Sequence, residues 1–361
     1  MTINRTILSN KMKEARVWSR PPNNELEVIL HDVPIPTPGP HQVLIKVAVS
    51  GSNPKDWKIP FWLEDFNGTN SGDDIAGVVS AVGDEVTNFR PGDRVAAFHE
   101  MRTPGGSFAE YAIAEEHCTF SLPKGISFEE GATLPLAAMT AALGLFSRLG
   151  IPEPWVQGKE NRDTVKGGVL VYGGASAVGA YALKLLAKTD VHPIYVVAGR
   201  GKDFVESLID RSKGDVIIDY RAGDEAVVKE LKSALGGRTL RHAFDAVSEH
   251  SSVDNILKVL AADGHLTTVL PGKEHQQIPE TVDHTFTNVG DAHGPQKEMG
   301  AAWFRLLSLG LKEGWFKGHP YEVVPGGLEG VQSALERLRD GKASAVKYVF
   351  KIGDTSGLEK E

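Results

Sequence analysis

The stretch Gly167–Lys188, GGVLVYGGASAVGAYALKLLAK, constrains the chain more than any other. Val169, Leu170, Val171 and Tyr172 form a short β-prone apolar run, the length of a buried strand. Gly173 and Gly174 break it. Ser176 and Gly179 then lead into Ala180–Lys188, where Ala180, Leu183, Leu186 and Ala187 recur at helical spacing. Strand, tight turn and helix in this order aim the N–H groups of a helix start at one point beyond the sheet. Unpaired donors and partial positive charge there suit a pyrophosphate, with Ala175, Ser176, Ala177 and Val178 as its contacts. A dinucleotide fingerprint wants Gly-x-Gly-x-x-Gly; here the positions hold Gly174, Ser176 and Gly179. A small hydroxyl at Ser176 fits that place and can donate to a phosphate oxygen. Ala180 and Tyr181 stand where a P-loop needs Lys and Ser/Thr, which excludes that motif. Gly174-Ala175-Ser176-Ala177 matches the first half of a nucleophile elbow, but Val178 replaces its last glycine.

Around this motif the pattern predicts two kinds of structure. Residues 1–13 are polar and read as frayed, and Glu14–Trp18 and Glu27–Leu30 as a hairpin around Pro21-Pro22. Gln42–Ser50 and Asp74–Val82 read as strands, Gly51–Lys58 as a polar loop with a buried Trp57, and Arg90–Val95 and Gly105–Tyr111 as turns into further strands. Short, Gly-punctuated strands make a partly closed β structure. Helical patterns start at Ser127 and at Ala137, and a polar loop spans Ile151–Val165. From Gly167 strands and helices alternate to Val269, which implies a doubly wound parallel sheet with its ligand crevice at the carboxyl ends of the strands. Residues 271–300 read as irregular. Ala301–Lys312 and Leu328–Arg339 read as helices and Ala345–Lys351 as a last strand.

Composition narrows the class. A chain of 361 residues is long enough for two domains with real cores. A formal charge of −8 argues against nucleic acid as a partner. No apolar stretch is long enough to cross a bilayer, and the N-terminus lacks the apolar h-region of a secretory signal. Cys118 is the only cysteine, which rules out an intramolecular disulfide and any cysteine-rich zinc site and fits the cytoplasm.

The landmarks NPKDWK, GDDIAGVVSAVG, FRPGDRV, GGSFAEY, LPLAAMTAALGLF and GGASAVG, in this order, resemble the zinc-free medium-chain dehydrogenase/reductases over nearly the whole chain. VLVYGG, IIDYRA, the His265–Leu270 strand and EVVPGGLEGV look most like the fungal trans-acting enoyl reductases of polyketide synthesis, the lovastatin type; quinone oxidoreductases share most of the pattern. The resemblance implies a GroES-like barrel, residues 1–136 and 310–361, as catalytic domain, with a Rossmann domain inserted at 137–309. Zinc-dependent relatives place a Cys near Asn53, a His-Glu pair near Asp73-Asp74 and a four-cysteine lobe after the FRPGDRV-like turn. None of these is present, so no structural or catalytic zinc is expected, and His99 and Glu100 read as a loop histidine and a solvated carboxylate.

Cofactor choice is read roughly 20 residues past the glycine turn. Ala198-Gly199-Arg200-Gly201-Lys202 offers no carboxylate for a ribose 2′-OH, whereas Arg200 and Lys202 can pair with a 2′-phosphate, so NADPH is expected. The resemblance adds Tyr220 near the adenosine, Val269 and Leu270 beside the nicotinamide, and Ala343 and Ser344 from the returning C-terminal segment. It places Lys55, Asp56, Trp57 and Lys58 along the cofactor, with Lys58 also a source of a proton through water, and Met139 and Thr140 along the substrate cleft. On residue chemistry alone Asp56 reads rather as a brace and Trp57 as a packing residue.

The leading expectation is hydride transfer from NADPH to an activated C=C bond of an enone or enoyl thioester, small or carrier-bound, with a polyketide synthase as partner and the chain as monomer or homodimer. Quinone reduction is the alternative on the same fold. A hydrolase using Ser176, Asp245 and His265, and a non-catalytic NADPH-binding protein, are the readings from other classes.

Overall fold

A computed structural model describes residues 11–23, 25–156, 165–270 and 277–358. The chain opens with an antiparallel hairpin, β1 (Lys11–Arg20) and β2 (Glu25–Pro34). Lys11–Lys13 therefore belong to a strand and are not frayed; residues 1–10 lie outside the described part. Next come β3 (Gln42–Gly51), helix α1 (Pro54–Trp62), β4 (Asp74–Val82), β5 (Arg94–Phe98), β6 (Tyr111–Glu115) and the short β7 (Thr119–Ser121). The segment expected as a polar loop thus starts a helix. Pro54 supplies its fixed φ at the first helical position, and the Asp56 carboxylate accepts the Asn53 N–H at 2.7 Å.

Two edges of β3 close the β half. One pairs with β4 along its length. The other is shared: Gln42–Lys46 pair with β6, while Val49–Gly51 pair with β15 (Lys347–Lys351) from the far end of the chain. A further short strand, β14 (Tyr321–Val323), extends the sheet beyond β15.

Helices α2 (Phe128–Gly131) and α3 (Pro135–Ala142) carry the chain out of this sheet. Every residue of α3 is buried, as befits a helix that is apolar all round. Then β8 (Val169–Tyr172), α4 (Ala177–Thr189), β9 (Ile194–Ala198), α5 (Lys202–Glu206), β10 (Val216–Asp219), α6 (Asp224–Leu235), β11 (Leu240–Asp245), α7 (Ser252–Leu257), β12 (Leu260–Thr268) and β13 (Asp283–Phe286) alternate. All six strands run parallel in the order β10-β9-β8-β11-β12-β13. The sequence reading of residues 271–300 as irregular missed β13 and the start of α8 (Lys297–Glu313); residues 271–276 lie outside the described part, as do 157–164 of the expected Ile151–Val165 loop. Helix α9 (Val331–Arg339) precedes β15.

One apolar core joins the two sheets: Val49, Ala76 and Phe98 share it with α3, with Val169 and Leu183, and with Trp303 and Phe304 of α8. Phe120 of β7 stacks on Phe304 with ring centroids 5.3 Å apart, and Phe146 on Trp303 at 4.4 Å. Burying such a ring pair contributes about 0.5–1.5 kcal/mol beyond its area, so the seam between the halves is held by specific aromatic contacts. Among the described residues no helix is long and apolar enough to cross a membrane.

Candidate active site

The glycine turn sits at the switch point of the parallel sheet, between β8 and the loop after β11. Gly173 has φ +84°, and a Cβ there would lie 2.4 Å from Val247. On Gly174 it would lie 2.2 Å from Val196, and on Gly179 2.3 Å from the Gly173 carbonyl. Side chains at these places would push strand, turn and helix apart. Ser176 is the N-cap of α4, and its Oγ accepts the Gly179 N–H at 3.0 Å. The hydroxyl hydrogen is still available to an incoming oxygen. Ala175, Ala177 and Val178 line the same partly open turn.

The structure gathers the expected adenosine-side residues beside this turn. A Cβ on Gly199 would fall 2.4 Å from the Tyr220 ring, and one on Gly201 2.7 Å from Ala175 and 3.4 Å from Ser344 Oγ. Both glycines are thus required by close neighbours. Arg200 and Lys202 are exposed at the rim. Arg200 Nη2 donates to the Gly341 carbonyl at 2.6 Å, which ties the rim to the segment holding Ala343 and Ser344.

At the opposite end of the cleft, β11 finishes at Asp245, which is fully buried. Its carboxylate accepts the N–H groups of Val247 at 3.0 Å and Ser248 at 2.8 Å and the Ser252 hydroxyl at 2.6 Å. Ser248, in the left-handed region at φ 54°, accepts the Val269 N–H at 2.9 Å. The loop so fixed presents Glu249 to Lys58 of α1, with Nζ and Oε1 2.6 Å apart. Lys58, only 6% exposed, also lies 5.5 Å from the ring centroids of Trp57 and Trp62. Lys58, Val269 and Leu270 therefore converge on one side of the cleft, and Glu249 is the partner that sequence reasoning missed.

The rest of NPKDWK points elsewhere. The Lys55 ammonium is held by Asp56 Oδ1 at 2.9 Å, by the Asp73 carboxylate and by the Ser71 carbonyl. Beside it, the Lys347 ammonium is held by Asp74 and by Asn53 Oδ1 at 3.0 Å. Asp74 also accepts from Asn53 Nδ2 at 2.7 Å and from the Leu136 N–H at 2.7 Å, an otherwise orphaned donor in the first turn of α3. Three buried carboxylates thus face two ammonium groups. Burial pushes Asp56 up to about 7 against the pull of Lys55, and pushes Asp73 up as well. Burial lowers Lys55, but Asp56 and Asp73 outweigh it and leave the ammonium above its usual range. Lys55 and Asp56 are consequently parts of an internal brace under α1, and Trp57 packs edge-on against Phe61.

Other expectations separate. Met139 is fully buried in the core, and the Thr140 hydroxyl donates to the Leu136 carbonyl at 2.8 Å. The hydrolase trio is not brought together: Ser176 caps α4, Asp245 organises its own loop, and His265 pairs with Asp283 at 2.9 Å. His99 is tied to the Ile113 carbonyl at 2.7 Å, and Glu100 is exposed.

A seven-stranded β half joined to a six-stranded dinucleotide-type sheet, with the glycine turn at its switch point, is the architecture of a medium-chain dehydrogenase/reductase. Residues 39–124 match the alcohol dehydrogenase GroES-like domain family. The trans-enoyl reductase fsr4 of Gibberella fujikuroi is 43% identical over 323 residues, covering 89% of this chain and 93% of that protein. Among solved structures, CurK enoyl reductase matches with a TM-score of 0.73 at 21% identity, over 94% of this chain and 98% of that one. The quinone oxidoreductase of Coxiella burnetii matches with a TM-score of 0.69 at 21% identity, over 94% of this chain and 99% of that one. These two likenesses carry the fold. The chain belongs to the trans-enoyl reductase family, oxidoreductases of the medium-chain dehydrogenase/reductase superfamily, which use nicotinamide dinucleotides.

Proposed function

We propose that this protein reduces the conjugated C=C bond of an enone or enoyl thioester with NADPH, acting in trans on chains carried by a polyketide synthase and without catalytic zinc. The observation that carries the reading is the filling of the place where zinc-dependent relatives hold their metal. Around Asn53, Asp73 and Asp74 the acidic groups are already engaged by the ammonium groups of Lys55 and Lys347. A donor set so occupied does not fit a Lewis acid. The substrate must then bring its own electron sink, as a conjugated carbonyl does, and orientation and hydrogen bonding can suffice.

The turn and rim fit a phosphorylated dinucleotide: glycines where a Cβ would intrude, a donor at Ser176, and no carboxylate between Ala198 and Lys202. When bound, NADPH supplies the hydride. Arg200 and Lys202 would hold its 2′-phosphate, and Tyr220 would cover the adenosine. Val269 and Leu270, fixed through Ser248, would orient the reactive end and exclude water. Lys58 Nζ holds a proton at the cleft and can pass it through water to the α-carbon, with Glu249 steering the ammonium.

NADPH oxidation with a short enoyl thioester, a simple quinone and ethanol tests the reading. The thioester is expected to give the highest kcat/KM. Turnover of the quinone alone would sink the substrate assignment and leave the cofactor assignment standing; ethanol as best substrate would overturn the zinc-free mechanism. Arg200→Ala should weaken NADPH binding by about 1.5–3 kcal/mol and leave NADH unchanged, measured by titration. Equal loss for both cofactors would count against a 2′-phosphate contact.

A further inference from the structure

On the seam away from the cleft, the turn Glu116–Cys118 that follows β6 meets the turn Val289–His293 that precedes α8. His117, Cys118 and His293 each bring one ligand-type atom to this meeting, and the three atoms lie within 4.8 Å of one another. Cys118 is completely buried. His117 Nε2 and both ring nitrogens of His293 are buried without a hydrogen-bond partner. The His99 main chain approaches His293, yet no bond of good geometry forms. Buried polar atoms are normally satisfied, so three orphaned nitrogens around one thiol call for an explanation.

The surroundings favour a neutral ligand set. Burial lowers His117 and pushes His293 down to about 3, so both imidazoles offer a lone pair. Burial, with Glu115 and Glu100, pushes the Cys118 thiol up, while Lys297 opposes this. A dication would add the positive charge that those two carboxylates favour, and the thiol would release its proton to solvent on binding. Two imidazoles and one thiolate suit zinc, whose bonds of about 2.0–2.3 Å set neighbouring ligand atoms roughly 3.3–3.6 Å apart. Side-chain rotation of the order of an ångström closes the present spacing to that range.

We propose that His117, Cys118 and His293 bind one zinc ion that clips the β6–β7 turn to the start of α8, with water as fourth ligand. The site shares no residue with the cofactor contacts or with the brace under α1. It revises the expectation of no structural zinc, which rested on the missing four-cysteine lobe; a set with two histidines needs only one cysteine.

Cobalt(II) titration of the chelator-treated full chain tests the proposal. Cys118 is the only cysteine, so a thiolate-to-cobalt charge-transfer band can come from no other residue. The expected result is that band at one cobalt per chain, displaced by one zinc, with a thermal midpoint that rises with zinc. Cys118→Ser should abolish the band, and His117→Gln and His293→Gln should each weaken binding at least tenfold. Circular dichroism of the metal-free variants checks folding, and the half-buried His117 provides a variant that leaves the buried thiol in place. Absence of the band at saturating cobalt, or binding unaffected by both histidine variants, would overturn the site.

Discussion

Two places in this molecule bury polar groups, and they do so in opposite ways. Under α1, the carboxylates of Asp56, Asp73 and Asp74 face the ammonium groups of Lys55 and Lys347. At the seam, His117, Cys118 and His293 face one another with their nitrogens unpaired. In the first place each charge finds its opposite inside the chain. In the second the groups are neutral, and pairing must come from outside. The difference teaches that burial alone does not mark a binding site; what matters is whether the protein has already used the donors and acceptors it buries.

The largest effect is expected from breaking the first place. Lys347→Met leaves Asp74 buried beside Asn53 without its cation, which should cost about 3–5 kcal/mol in urea unfolding. A loss below about 1 kcal/mol would mean that the brace contributes little and that the contrast fails. A smaller effect concerns Asp56. Its folded-state pKa, about 7, lies above the ordinary carboxylate value of 3.8, so the folded state holds the proton more tightly than the unfolded chain. The associated stability is complete below about pH 4 and is lost as the pH rises through about 7. Asp56→Asn, which keeps an acceptor for the Asn53 N–H, should flatten unfolding midpoints across that window; an unchanged slope would assign the pH dependence elsewhere. The smallest effect is at the seam. His293→Phe in metal-free protein should change stability by no more than about 1 kcal/mol, and in the favourable direction, because it removes two unpaired nitrogens next to Phe98. A large destabilisation would show that His293 already has a partner, and would merge the two places into one kind.

The glycine turn was legible because its glycines answer to backbone geometry that no other residue meets, and local spacing records that. The parallel alternation from Gly167 to Val269 followed from strand-length and helix-length apolar patterns. The helix after Asn53 carried its own signal, an N-cap Asn followed by Pro and then Asp at the third helical position, but the polar composition hid it. Met139 was misplaced because helical spacing gives the face of a residue and not what the face meets. Glu249 and Lys347 were invisible for a different reason: their partners Lys58 and Asp74 are distant in sequence, and nothing local distinguishes a buried Lys from a solvated one. The same holds for His293, which meets His117 only through tertiary packing of α8.

The shared edge of β3 has a consequence for how the protein is made. Gly51 leaves the ribosome long before Lys347–Lys351, the strand that pairs with its end of β3. At about 5–20 residues per second, that edge waits roughly 15–60 s for its neighbour. During that interval the open N–H and C=O groups of Val49, Ser50 and Gly51 are a template for any extended chain nearby. The nascent protein therefore depends on a chaperone, or on prior folding of the intervening parallel sheet, to keep a foreign strand from taking the place reserved for its own last one.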